Sequence, residues 1–149
     1  MPRYTGGCLC EAVRIEIDAA PNRVGICHCL DCRKRQGALF HTFAVFPTDA
    51  VTITGETRAF KTRHFCPTCG SPLFDRFGDE LELHAGCLDA PDQLTPTYET
   101  WGIRREAWLP PFDLAHRLVL AQAHDSLGRA RADAERAIAE IVGRVTVPT

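Results

Sequence analysis

No apolar run in this sequence approaches the ~20 residues that a membrane-spanning helix requires, and no membrane partner is expected. Charge of one sign is also lacking: 17 Lys and Arg face 19 Asp and Glu over 149 residues, a formal net charge of −2. That balance removes the general attraction on which binding to nucleic acid or anionic lipid depends. The first residues, Met1-Pro2-Arg3-Tyr4-Thr5, lack the apolar core of a secretory signal, so a cytoplasmic setting with reduced thiols is expected. No segment repeats at a fixed period. With 45% hydrophobic and 24% charged residues, the composition is that of a globular protein and not of a disordered one. The length suits one domain with a modest tail, as a monomer or a homodimer.

Cysteine, by contrast, is plentiful. Seven of the eight cysteines fall into three tight groups: Cys8-Leu9-Cys10, Cys27-His28-Cys29-Leu30-Asp31-Cys32, and Cys66-Pro67-Thr68-Cys69. These C-x-C and C-x2-C spacings suit metal ligands. Structural zinc takes four protein ligands, whereas catalytic zinc keeps three and leaves one position open. Seven thiolates divide as four plus three, so two zinc ions per chain are expected, one closed and one open. A disulfide framework is the alternative, and it fits an oxidising compartment better than a reducing one.

The chain reads as mainly β from residue 1 to about 111, with a helical extension over 112–149. Val13-Arg14-Ile15-Glu16-Ile17-Asp18 alternates with the period-two pattern of a half-buried strand. Phe40–Phe46, Val51–Thr54, Thr57–Lys61, Ser71–Phe77 and Glu80–Ala85 are further strand candidates, the last two joined by a Gly78-Asp79 hairpin signal. Arg33–Gln36 fits one short helical turn. After Pro110-Pro111 cysteine disappears, and Leu127, Ala130, Ala134, Ile138, Ile141, Val142 and Val145 recur at helical spacing behind a possible N-cap at Ser126. Such a stripe predicts a C-terminal helix packed on the β domain, with a dimerisation helix as the other use.

Cys8 and Cys10, two apart, would share one face of a strand and reach one ion together. Cys66-Pro67-Thr68-Cys69-Gly70 has the form of a zinc knuckle, with Pro67 presetting the turn and Gly70 tolerating positive φ. Together these four would hold a structural zinc that clamps segments more than fifty positions apart. Cys27, Cys29 and Cys32 would form the open, catalytic site, with His28 pointing the other way. Three thiolates weaken zinc as an acid for water but leave it an affinity for one more soft ligand, which favours sulfur chemistry over hydrolysis. Arg33-Lys34-Arg35 is either a solvated basic turn or an electropositive border that receives substrate carboxylates. Cys87, the odd residue, reads as a buried free thiol.

On these residues the chain resembles the glutathione-dependent formaldehyde-activating enzyme family. The likeness runs from Gly6-Gly7-Cys8-Leu9-Cys10 and Ala12-Val13-Arg14 through Cys27-His28-Cys29, Cys32-Arg33-Lys34 and Gly37. It continues with Arg63, Phe65-Cys66, Cys69-Gly70-Ser71 and Leu73, then Gly86, Leu88-Asp89, Pro91 and Trp108. The resemblance implies a fold of twisted β-sheets related to methionine sulfoxide reductase B and a small Rab-binding exchange factor. It also implies structural zinc on Cys8, Cys10, Cys66 and Cys69, and catalytic zinc on Cys27, Cys29 and Cys32. The implied activity is that of a carbon–sulfur lyase joining glutathione, or a similar thiol, to formaldehyde or another small aldehyde as S-(hydroxymethyl)glutathione or its like. Glu11 stands where the family usually has glycine, and positive φ there would cost a glutamate about 1 kcal/mol. A non-catalytic binding module on the same zinc scaffold is the rival reading, and Cys87 or His28 as a fourth ligand would favour it. A thiol redox protein is the third, and the absence of a βαβ pattern counts against it.

Overall fold

The structure, a computed structural model, describes residues 3–114, 116 and 117. Eleven strands form in these residues: β1 (Tyr4–Gly7), β2 (Arg14–Ile17), β3 (Arg23–Cys27), β4 (His41–Pro47), β5 (Val51–Thr54), β6 (Arg58–Phe60), β7 (Arg63–Phe65), β8 (Pro72–Phe77), β9 (Glu80–His84), β10 (Tyr98–Thr100) and β11 (His116–Arg117). One helix, α1 (Leu30–Gln36), lies between β3 and β4, and the fold is mainly β.

Two sheets result. A three-stranded sheet has the order β1-β2-β5, and an eight-stranded sheet has the order β11-β10-β3-β4-β9-β8-β7-β6. Pairing is antiparallel except at β10, which runs parallel to both β3 and β11. The alternation in Arg14–Ile17 works as the pattern demands: Ile15 and Ile17 are buried while Glu16 faces out. Strand β4, in the middle of the larger sheet, buries residues on both faces from Phe43 to Phe46, hence its nearly unbroken apolar run. Gly78, at φ +62°, turns β8 into β9.

The main core packs Val13, Ile15, Ile17, Phe46, Leu73, Phe74, Leu81 and Leu83, and it includes the Cys8 and Cys66 sulfurs. A second, smaller core gathers Phe43, Val45, Tyr98 and Trp101 around Cys27, Cys29 and Cys32. Gly25 makes that second core possible. A Cβ there would fall 2.6 Å from the Tyr98 ring and 2.9 Å from the Phe43 ring, and those two rings meet edge-on at 6.0 Å.

Several local expectations need correction. Cys8 and Cys10 do not sit in a strand; they lie beyond β1, in the turn toward β2. The helical turn expected at Arg33–Gln36 begins three residues earlier and takes in Cys32. Strands β1, β3, β7 and β10 carry no clear alternation and were not expected. Beyond Pro111 the chain still adds to the sheet, since β11 pairs with β10 and Phe112 packs on His28 and Phe40. The helical stripe from Leu127 to Val145 lies outside the described residues.

Candidate metal centres

The first cluster is built from two turns. Strand β1 delivers Cys8 and Cys10, and Glu11 at φ +62° closes that turn in the left-handed region anticipated for its position. The other turn joins β7 to β8. There the Gly70 N–H donates to the Cys66 carbonyl at 2.9 Å, with Gly70 at φ +75°. The four sulfurs of Cys8, Cys10, Cys66 and Cys69 come within 4.8 Å of one another, with Cys8–Cys10 at 3.6 Å and Cys10–Cys66 at 3.7 Å. A tetrahedron with metal–sulfur bonds of ~2.3 Å has sulfur–sulfur edges of ~3.8 Å, whereas a disulfide needs ~2.05 Å. These spacings fit a metal and exclude a covalent bridge. None of the eight cysteines is in a disulfide.

Hydrogen bonds prepare these sulfurs for a cation. The Val13 N–H donates to Cys8 Sγ at 3.2 Å. The Ser71 hydroxyl accepts from the Leu9 N–H at 3.1 Å and lies 3.2 Å from Cys69 Sγ, a hydrogen bond that favours the thiolate form of that sulfur. That hydroxyl, followed by the Ser71 N–H, pulls the Cys69 thiol down to about 5. Cys10 receives the Ala12 N–H, yet desolvation and the sulfurs of Cys69, Cys8 and Cys66 push it up to about 12. Neighbouring thiolates that repel each other in this way are relieved by a divalent ion between them.

The second cluster is local. Strand β3 ends at Cys27, Cys29 caps α1 by accepting the Cys32 N–H on its sulfur at 3.3 Å, and Cys32 lies in the first helical turn. All three are buried, and their sulfurs again lie within 4.8 Å of one another. The Cys29 sulfur above all pushes Cys27 up to about 12. Cys32 is driven far up by Cys27 and Cys29. Among the described residues, no fourth His, Cys, Asp or Glu brings a ligand atom within that distance of all three.

His28 and Cys87, the two residues that could have closed this site, are occupied elsewhere. His28 is fully buried between the Phe40 and Phe112 rings, with Nε2 3.1 Å from Glu99 Oε2. Its backbone N–H donates to the Thr100 carbonyl at 3.1 Å, tying the Cys27–Cys29 segment to β10. Burial holds its ring below the usual imidazole range. Cys87 donates its S–H to the Pro72 carbonyl at 3.2 Å, and burial pushes it up to about 12.

The basic run after Cys32 divides by role. Arg33 binds the Arg104 carbonyl at 2.8 Å and the Glu106 carboxylate. Arg35 binds the Asp75 carboxylate and the carbonyls of His64 and Phe74. Only Lys34 of the three projects into solvent. One polar cluster escaped sequence analysis altogether. The Gln36 amide nitrogen lies 3.1 Å from His41 Nδ1 and 2.8 Å from His84 Nδ1, on the wall of a cleft of about 530 Å³ that Cys8, Ser71 and Cys87 also line. Four separate elements bring Gln36, His41, Asp75 and His84 together, and no spacing motif records that.

Residues 3–104 match the family described as glutathione-dependent formaldehyde-activating enzyme. The chain belongs to that family. Both cysteine clusters fall inside the matched span. A Talaromyces marneffei protein provisionally named as a glutathione-dependent formaldehyde-activating enzyme is 32% identical over 94 residues, covering 53% of this chain and 49% of that protein. An uncharacterized lyase of Schizosaccharomyces pombe is 29% identical over 79 residues, covering 50% of this chain and 58% of its own length. The chain thus spans about half the length of these curated relatives. A crystal structure of a Rhodobacter sphaeroides protein superposes with a TM-score of 0.48 at 22% identity, over 60% of this chain and 91% of that one. Among the described residues, no helix is long and apolar enough to cross a membrane.

Proposed function

We propose that the protein is a zinc-dependent carbon–sulfur lyase that forms or cleaves the adduct of a small aldehyde, formaldehyde first among them, with glutathione or a similar thiol. Membership of the family and the names of the relatives support the reaction class. The observation that carries the mechanism is the difference between the two clusters. Four sulfurs meet in one, whereas only three buried sulfurs meet in the other. Cys8, Cys10, Cys66 and Cys69 would hold a structural zinc, and Cys27, Cys29 and Cys32 a catalytic one. Zinc in the three-sulfur site would supply a position for one more soft ligand and keep a thiol ionised near neutral pH.

The chain's own residues do the rest. Phe43, Val45, Tyr98 and Trp101 surround the three sulfurs with apolar side chains, which limits water and hydrolysis. The Thr100 carbonyl and Glu99 hold the Cys27–Cys29 segment through His28. In the condensation the substrate sulfur forms a bond to the carbonyl carbon and the π pair moves to oxygen. The thiol proton ends on that oxygen, and nothing is oxidised or reduced. The reverse reaction returns the proton to sulfur. A reducing compartment such as the cytoplasm suits thiolate chemistry of this kind.

X-ray absorption on the zinc-loaded chain tests the proposal. We expect an average near 3.5 protein sulfurs per zinc, set by sites of four and three, rising when glutathione is added. Formation of S-hydroxymethylglutathione from its two components should accelerate in step with occupancy of the second site. A second site carrying four protein ligands and indifferent to thiols would overturn the mechanism and favour a scaffold.

A further inference from the structure

A second cleft, of about 610 Å³, opens between α1 and the β6–β7 hairpin. At about 100° per residue, Asp31, Lys34 and Arg35 share one side of α1, roughly a quarter-turn from the side that carries Cys32. The opposite wall is the hairpin. Phe60 and Arg63 stand directly across from each other there, so both project from one face of it, with Phe65. Gly70, next to the Cys69 ligand, lines the same cleft. The space therefore lies between the knuckle of one cysteine cluster and the helix of the other.

Charge in this cleft is unbalanced. Arg35 is neutralised by Asp75, and Arg63 faces Asp31 at 3.4 Å. Lys34 and Lys61 have no carboxylate partner among the described residues, and Lys61 Nζ lies 5.7 Å from the Phe60 ring. Two ammonium groups thus remain. Lys61 also holds φ +57° at the hairpin tip, where glycine or asparagine would sit with less strain. Beside it Phe60 is 65% exposed, an aromatic surface left open on a cleft wall.

We infer that this cleft reads the carboxylates of the thiol substrate, with Lys34 and Lys61 as the residues that set specificity for acidic thiols. The inference rests on the thiol-lyase reading for the identity of the ligand. A tripeptide-sized thiol extends about 10 Å at ~3.3 Å per residue, and α1, which forms one wall of the cleft, also carries Cys32 of the three-sulfur cluster. Two unpaired ammonium groups match two carboxylates, and the Phe60 face offers a flat contact for the chain between them.

The test uses the zinc-loaded full chain and a probe with no thiol, S-methylglutathione, so that the cleft is measured apart from sulfur–metal binding. Calorimetric titration should show binding that weakens as salt rises. Affinity should fall about tenfold in the Lys34→Gln/Lys61→Gln double variant and recover in Lys34→Arg/Lys61→Arg. The preference for glutathione over its diethyl ester should collapse in the glutamine variant. No binding of S-methylglutathione to the wild type, or equal binding to both variants, would overturn the inference. Cobalt-substituted protein separates the two claims, because its absorption reports thiolate entering the metal site. A cobalt spectrum blind to glutathione, with lysine-dependent binding of S-methylglutathione, leaves the carboxylate cleft and removes the lyase. A responsive spectrum with no lysine dependence does the reverse.

Discussion

Ser71 prepares the four-sulfur cluster, a candidate metal site, without being one of its four sulfurs. It accepts from the Leu9 N–H and lies 3.2 Å from Cys69 Sγ, to which it donates once that sulfur is a thiolate. The hydrogen bond favours the thiolate, the form a metal needs, and it orients a knuckle sulfur that is otherwise only half-buried. Replacing Ser71 with Ala leaves the Leu9 N–H without its acceptor and Cys69 without its donor. We expect roughly 10- to 100-fold weaker metal binding at the first site, with the second site unchanged, measured by competition against a graded series of chelators. Equal loss at both sites would assign the effect to global destabilisation instead. This residue could not be read from the sequence, because a serine two positions after a cysteine has many uses. The positive φ of Glu11 was anticipated through the family resemblance, in which glycine usually stands at that position.

At the scale of elements, α1 depends on what its last turn grips. Arg35 reaches Asp75 on β8, and Gln36 reaches His41 on β4 and His84 on β9. Since the Gln36 amide donates, both histidines accept at Nδ1. Their Nε2 protons then face Glu82 and Asp75, each at 3.5 Å. Burial first of all, with help from His41 and Arg35, holds His84 at about 4. The unfolded chain titrates it near ~6.5. Between these values the unfolded state binds a proton that the folded state refuses, so stability falls as pH drops from ~6.5 to ~4, by up to about 3 kcal/mol. Asp75 works in a lower window. Burial opposes its charge, but His84 and Arg35 hold it at about 2, so its contribution is present above ~3.8 and is lost only toward pH 2. Denaturation of wild type and His84→Gln across pH 4 to 7 should give curves that converge as pH falls, because both chains share the same metal sites. Parallel curves would remove His84 as the source.

The same elements show where sequence patterns inform and where they do not. Val51–Thr54 was legible because it alternates half-buried and exposed residues, and Glu80–His84 because the hairpin glycine Gly78 sets it off from β8. Strand β3 was not. Arg-Val-Gly-Ile-Cys has a glycine at its centre and reads as a break, yet Gly25 is there because the Tyr98 and Phe43 rings occupy the space of a Cβ. Three-residue strands such as β10 are too short for a period to register. The helix N-terminus at Cys29 was hidden for another reason: its cap is a sulfur, where Ser, Thr, Asp or Asn is the usual signal.

For the whole molecule, the decisive contrast is what each cysteine cluster holds together. The first joins the turn after β1, in the three-stranded sheet, to the β7–β8 turn of the eight-stranded sheet, where the Leu9–Ser71 hydrogen bond, the Gly6–Leu88 bridge, the Arg14–Asp89 pair and the shared core also link the parts. The second spans six positions, from Cys27 to Cys32, within one continuous segment. Structural zinc contributes apparent binding energies of ~10–16 kcal/mol, as large as the ~5–15 kcal/mol stability of a whole domain. Loss of a ligand at the first cluster should therefore unfold the chain, whereas loss at the second should only empty it. We expect Cys69→Ser to lose cooperative thermal unfolding along with its metal. Cys29→Ser should retain a cooperative transition, carry one zinc per chain and cease to respond to glutathione. Calorimetry paired with metal analysis on both variants reads the two outcomes together. A folded Cys69→Ser protein with full metal content would sink the structural assignment. An unfolded Cys29→Ser protein would show instead that the local site also holds β3, α1 and β10 in place.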